Sequence, residues 1–160
     1  MIDKKALAIL CLSLVIFWKL GLAEEEIPAP NFKLQDIDQD TITLSNYKSK
    51  KPVVLMFCTT WCPMCPTELR NLNNIYLQLT KDNIEVLAID SGELPDEVED
   101  FVKNYFLAYR VLLDKDTAVT QSYSVIGFPI YVLINKDGEI VFKDTYFPVG
   151  QYRKLLLNEE

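Results

Sequence analysis

The 160-residue chain contains no histidine, and that absence removes several chemistries at once. Without an imidazole there is no His-ligated metal, no Cys-His or Ser-His nucleophile pair, and no C-x-x-C-H haem attachment, whose last position is held here by Pro66. Positive charge is scarce as well: 16 Lys and Arg face 23 Asp and Glu, a net of −7. Leaving out Met1 to Ala23, with three lysines and one aspartate, takes the net to −9. So acidic a surface repels phosphate backbones, and no nucleic-acid partner is expected. A comfortable bilayer span is also lacking, because the apolar run from Ala6 to Trp18 has 13 residues against the roughly 20 that a membrane helix needs.

What surrounds that run is informative. Lys4 and Lys5 precede it, and Gly21-Leu22-Ala23 follows it with small residues at the first and third positions before three glutamates, the pattern of an export signal cut after Ala23. Trp18 and Lys19 at an interface would equally let Ala6 to Leu22 remain as a tilted anchor. Residues 1–23 are therefore read as a signal peptide or N-terminal membrane anchor, 24–31 as an acidic, proline-bearing linker, and 32–160 as one domain. With 49% hydrophobic residues that domain can bury a core without disulfide staples. Either fate of the leader puts the domain in a periplasmic or other extracytoplasmic space. A dithiol there meets oxidising conditions and needs a partner to keep it reduced.

Cys11 sits in the leader; the other three cysteines lie in Phe57 to Leu69, FCTTWCPMCPTEL. From Cys58 the spacing is C-x3-C-x2-C, as around the iron-sulfur cluster of radical enzymes. From Cys62 it is a C-x-x-C preceded by Trp, which fits a redox dithiol or half of a zinc site. From Cys65 it is C-P-T-E, an echo of the peroxidatic loop of peroxiredoxins.

The surrounding pattern gives these cysteines an address. Phe32 to Leu34 and Thr41 to Leu44 alternate around Asp36 to Asp40, so a short N-terminal β-hairpin is expected. Pro52 opens Val53 to Cys58, a continuous apolar run suited to a strand covered on both faces. From Pro63 the period turns helical, with Cys65, Leu69, Leu72, Tyr76 and Leu79 in one stripe. Further strands are expected at Ile84 to Ile89, Arg110 to Leu113, Ile130 to Ile134 and Ile140 to Phe142, the last two joined by the hairpin signal Lys136-Asp137-Gly138. Helices are expected at Pro95 to Tyr105, Thr117 to Tyr123 and Tyr152 to Leu157. The class is α/β, with a mixed central sheet flanked by helices.

Cys62 then falls at a helix N-terminus, where free N–H groups and the helix dipole favour the thiolate, the form that attacks disulfides. Cys65, one turn on and on the apolar stripe, is expected to be the buried member that resolves a mixed disulfide. Glu68 stands three residues later on the same side, so its carboxylate is a candidate acceptor for the Cys65 proton. Its plainer role would be a first-turn acid complementing the dipole. Pro129, opening a strand, fits either an edge or a cis bond; beside Cys62, the Phe128 backbone would be placed to pair with a bound peptide.

Trp61-Cys62-Pro63-Met64-Cys65, Glu68, and Gly127-Phe128-Pro129 ahead of Ile130 to Asn135 and Lys136-Asp137-Gly138 resemble the thioredoxin fold in its extracytoplasmic TlpA, ResA and DsbE branch. The match runs from about Pro28 to Leu157 and takes in Ala29-Pro30-Asn31-Phe32 and Leu44-Ser45-Asn46-Tyr47-Lys48. The resemblance implies a thioredoxin-like fold with a strand-helix insertion between the C-x-x-C helix and a cis-proline. It implies a thiol-disulfide oxidoreductase, usually reducing, with no cofactor or metal. Its partners would be a disulfide-containing protein substrate, in many members the cysteines of apocytochrome c during cytochrome c maturation, and a membrane dithiol electron donor. By position Cys62 is then the attacking cysteine, Cys65 the resolving one, Glu68 the active-site glutamate and Pro129 the cis-proline. Trp61, Pro63, Met64, Phe128 and Pro129 would face the substrate. Met56 occupies the place of the buried aspartate of ordinary thioredoxins, which favours Glu68 as proton acceptor. Cys58 and Phe128-Pro129-Ile130 depart from the family pattern, and the C-terminal helix is short for it.

The rivals fare worse. A radical enzyme needs a larger barrel, and a three-cysteine metal site lacks a fourth ligand. The peroxiredoxin pattern wants Pro seven residues, and Thr or Ser three residues, before its cysteine; Cys58 and Cys62 precede Cys65 at those places, and Leu55 and Thr59 precede Cys62. An oxidase or isomerase of exported proteins is the alternative within the redox class, and the Pro63-Met64 dipeptide does not decide it.

Overall fold

A computed structural model describes residues 27–158; the expected leader at 1–23 and the first residues of the expected linker lie outside them. The elements in chain order are β1 (Lys33–Asp36), β2 (Thr41–Thr43), a 3-10 turn (Leu44–Asn46), β3 (Val53–Cys58), α1 (Cys65–Lys81), β4 (Glu85–Ser91), α2 (Pro95–Tyr105), β5 (Arg110–Asp114), α3 (Ala118–Ser122), β6 (Ile130–Ile134), β7 (Ile140–Asp144) and α4 (Tyr152–Leu157).

The unbroken apolar run of β3 has all six residues buried, as a strand with neighbours on both sides and layers on both faces requires. The sheet order is β2-β1-β5-β4-β3-β6-β7. β3 runs parallel to β4 and antiparallel to β6, β4 is parallel to β5, and antiparallel pairs finish both ends. Strand side chains alternate between faces. Val54, Met56 and Cys58 join Cys65, Leu69, Leu72 and Leu79 of α1, Val98 of α2 and Leu156 of α4 in one core layer. Val53, Leu55 and Phe57 join Phe32, Leu44, Val119 and Tyr123 in the other. Gly138, at φ +84°, takes the left-handed conformation that closes the β6–β7 hairpin, where a side chain would strain the turn.

Three boundaries differ from the sequence expectation. β4 continues two residues past Ile89 to Asp90 and Ser91, because Cys58 and Asp114 on the flanking strands still offer pairing positions. Regular α1 starts at Cys65 rather than near Pro63; Pro66 has no N–H to give, and the Cys65 N–H bonds back to the Cys62 carbonyl at 3.3 Å. The stretch read as a tether ending at Asn31 is paired from Ile27: Ile140 donates to Ile27 and Ala29 donates to Gly138, at 2.8 and 2.9 Å, which ties this segment to the β6–β7 turn. Among the described residues no helix is long and apolar enough to cross a membrane.

Candidate redox site

β3 delivers the chain to Cys58, residues 59–64 form a tight loop, and α1 carries it away from Cys65. Cys62 and Cys65 are joined as a disulfide with their Cα atoms 5.4 Å apart, inside the span that such a bridge permits. The Cys65 N–H also donates to Cys62 Sγ at 3.2 Å, a contact that favours negative charge on that sulfur. Both residues are buried, Cys62 3% exposed and Cys65 fully covered. Trp61, 68% exposed, and Met64, also exposed, stand close to Cys62 in the chain and put large apolar side chains at the surface there.

The β3–β6 register brings the second loop to the same place. Phe57 pairs with Ile130, which sets Pro129 level with Cys58, and the Phe128–Pro129 bond is cis. The Phe128 ring meets Trp61 edge-on, 5.9 Å between centroids and 83° between planes. Trp61, Cys62, Phe128 and Pro129 thus form one neighbourhood drawn from two segments far apart in sequence. Pro63 is exposed beside them.

Glu68 is half-buried on α1 and spoken for by hydrogen-bond donors. Tyr131 Oη donates to its Oε2 at 3.3 Å and to its backbone carbonyl at 3.1 Å, and Asn71 Nδ2 donates to Oε1 at 3.1 Å. Tyr131 is fully buried on β6; burial, then the Glu68 charge, pushes its hydroxyl well above the usual phenol range, so it stays a donor. Sequence reasoning missed Tyr131. Its signal was a polar tip at the second position of the apolar run Ile130 to Ile134, on the side that alternation turns toward α1.

Cys58 is buried below the loop, and burial, reinforced by the nearby acids Asp90 and Glu93, pushes its thiol far above the usual range. It remains a protonated core residue, the thiol least prepared to attack. Asp90 and Glu93 were missed as well. Asp90 pairs with Cys58 across β3–β4 and is 2% exposed; burial first, then Glu93, pushes its carboxyl up to about 9. Glu93 accepts the Thr60 N–H at 2.6 Å and the Thr60 hydroxyl. Among the described residues no group of three His, Cys, Asp or Glu side chains is placed to hold a metal ion.

Comparisons with known proteins agree with this geometry. Residues 26–143 match the AhpC/TSA family. The thiol-disulfide oxidoreductase ResA of Halalkalibacterium halodurans is 32% identical over 121 residues, 76% of this chain and 68% of that protein. The chain belongs to this thioredoxin-fold family and is ResA-like. The ResA of Bacillus thuringiensis subsp. konkukian is 36% identical over 113 residues, 71% of this chain. The chain spans only 65% of that relative's length, just under two thirds. Among solved structures, a putative protein disulfide isomerase from Bacteroides thetaiotaomicron superposes with a TM-score of 0.75 at 26% identity, covering 82% of this chain and 89% of that one. The family match thus includes the C-x-x-C loop, β6 and the Phe128–Pro129 turn.

Proposed function

We propose that the chain is a thiol-disulfide oxidoreductase that reduces disulfides of exported proteins through the Cys62–Cys65 dithiol. The observation that carries this reading is the bridged pair at the mouth of α1, with an N–H aimed at Cys62 Sγ and a frame of exposed apolar side chains. In the reaction, the Cys62 thiolate attacks one sulfur of the substrate disulfide, and the other sulfur leaves as a thiolate and takes up a proton. The Cys65 thiolate then attacks Cys62 Sγ, the mixed disulfide breaks, and the second substrate sulfur leaves. Two electrons pass to the substrate, and the pair ends as the disulfide. Glu68 accepts the Cys65 proton, and Tyr131 keeps its carboxylate turned toward the base of the site.

Trp61, Pro63, Met64, Phe128 and Pro129 receive the substrate, whose backbone pairs with Phe128. The domain works outside the cytoplasm, reached by way of residues 1–23 as a cleaved signal or a retained anchor. A membrane dithiol carrier returns the pair to the reduced state, and apocytochrome c cysteines are the substrate class to try first.

The test is Cys65→Ser in the full chain, expressed with its leader, followed by recovery of trapped mixed disulfides. Adducts are expected on Cys62 and vanish when Cys62→Ser is added. Adducts that persist without Cys62, or form through Cys58, defeat the assignment. A reduction potential near the roughly −120 mV of a strong oxidant, rather than the roughly −270 mV of thioredoxin, would favour the oxidase alternative.

A further inference from the structure

Directly beneath the loop that carries Cys62 lies a pair of carboxyls for which the reaction above has no use. Asp90 ends β4 with its side chain enclosed, and its Oδ1 has no hydrogen-bond donor. The Glu93 backbone N–H reaches the Asp90 carboxyl and favours its charged form, but the Glu93 carboxyl, another acceptor, also lies within hydrogen-bond reach and outweighs that contact. Two acceptors make a bond only if one holds a proton; otherwise two charges meet in a buried place, at high cost.

The chain is shaped to make this meeting. Gly92, at φ +80° and with Thr117 Cγ2 3.0 Å from where a Cβ would stand, reverses the backbone just after β4 and returns Glu93 over Asp90. Glu93 reaches the other way as well, accepting both the N–H and the hydroxyl of Thr60, two residues before Cys62. The neighbours facing Asp90 supply no positive charge. Cys58 lies beside it on β3, Leu113 pairs with it on β5, and the charge of Glu97 on α2 adds to that of Glu93. The Cys62 and Cys65 thiols share the core layer of Cys58.

We propose that Asp90 and Glu93 share one proton and together act as a positioning pair, holding the 59–64 loop so that Cys62 is presented for disulfide exchange. Asp90 donates its proton to Glu93, Glu93 is thereby fixed as the acceptor for Thr60, and Thr60 fixes the backbone leading to Cys62. Loss of the shared proton sets two carboxylates against each other, frees Glu93 from Asp90, and lets the loop relax. The pair also keeps one negative charge rather than two beneath Cys62, so forming the thiolate meets less repulsion. This rests on the reading of Cys62 as the attacking thiol.

The experiment follows the rate at which the reduced full-length protein attacks oxidised glutathione, from pH 6 to 10, in wild type, Asp90→Asn, Asp90→Ala and Glu93→Gln. Asn keeps a donor toward Glu93 at every pH, and Gln keeps an acceptor for Thr60 while offering Asp90 a donor. Both are expected near the wild-type rate at pH 7 and above it at pH 10, where the wild type loses its shared proton. Asp90→Ala is expected to be slower by about two- to tenfold at pH 7, the worth of one hydrogen bond. The infrared carbonyl band of a protonated carboxyl should be present in the wild type at neutral pH and absent in Asp90→Asn, a signature that a purely structural role would not move. Pairwise equal rate profiles in wild type and Asp90→Asn, or the same carbonyl band in both, would overturn the pair. If wild type itself does not react at Cys62, the failure belongs to the proposed activity instead.

Discussion

Three sulfur atoms within eight residues have been given unequal work by their surroundings. Cys58 shares its core layer with Cys62 and Cys65 but lies among acids and apolar groups that keep it protonated. Cys58→Ala is expected to change glutathione exchange by less than about twofold, at a stability cost of about 1 kcal/mol. Alkylation followed by mass spectrometry of the native reduced protein should modify Cys62 and leave Cys58 unlabelled; fast labelling of Cys58 would refute its role as core. Tyr131→Phe removes the donor to Glu68 while keeping the ring that packs on Phe147. It is expected to cost about 1 kcal/mol and to slow resolution by Cys65 more than attack by Cys62, which stopped-flow mixing of the two steps would separate.

At the scale of elements, the ends of strands matter more than their middles. Asp90 holds a proton in the folded chain up to about pH 9, whereas an unfolded aspartate loses it near pH 3.9. The native state therefore binds the extra proton between those values, and this residue makes stability fall as pH rises across that window. Asp90→Asn has no such proton, so its advantage in urea midpoint over the wild type should grow from pH 5 to pH 9. Parallel midpoint curves would contradict this. The same strand end explains what the sequence could and could not reveal. The apolar run of β3 and the stripe of α1 are local patterns, and they located the cysteine loop. The run of β4 loses its apolar pattern after Ile89, so Asp90 read as loop; only the register with Cys58 makes it part of the site. Helical spacing is enough to set Glu68 on the α1 turn after Cys65, while its hydrogen-bond partner Tyr131 arrives from a strand 63 residues later, and no local rule reaches that far. The edge-on meeting of Trp61 with Phe128 was equally hidden, since the two rings lie 67 residues apart in sequence.

For the whole molecule, the sheet has two outer strands, β2 and β7, and β7 is partly fastened by the chain that precedes β1. Pro28 bridges to Glu139, and Ile27 and Ala29 bond to the turn beside it. Removing residues 24–31 should lower the melting temperature by several degrees, as expected for the loss of about 1–2 kcal/mol from a domain of this size, and should raise self-association by uncovering that edge. Calorimetry and light scattering would read the two effects; an unchanged melting point would mean that the segment adds nothing. The chain has two tryptophans, Trp18 in the leader and Trp61 against Phe128 beside the disulfide. In a variant lacking residues 1–23 the domain would carry a single indole one residue from the Cys62–Cys65 bridge, and its emission is expected to rise on reduction, an optical gauge of how many molecules are reduced.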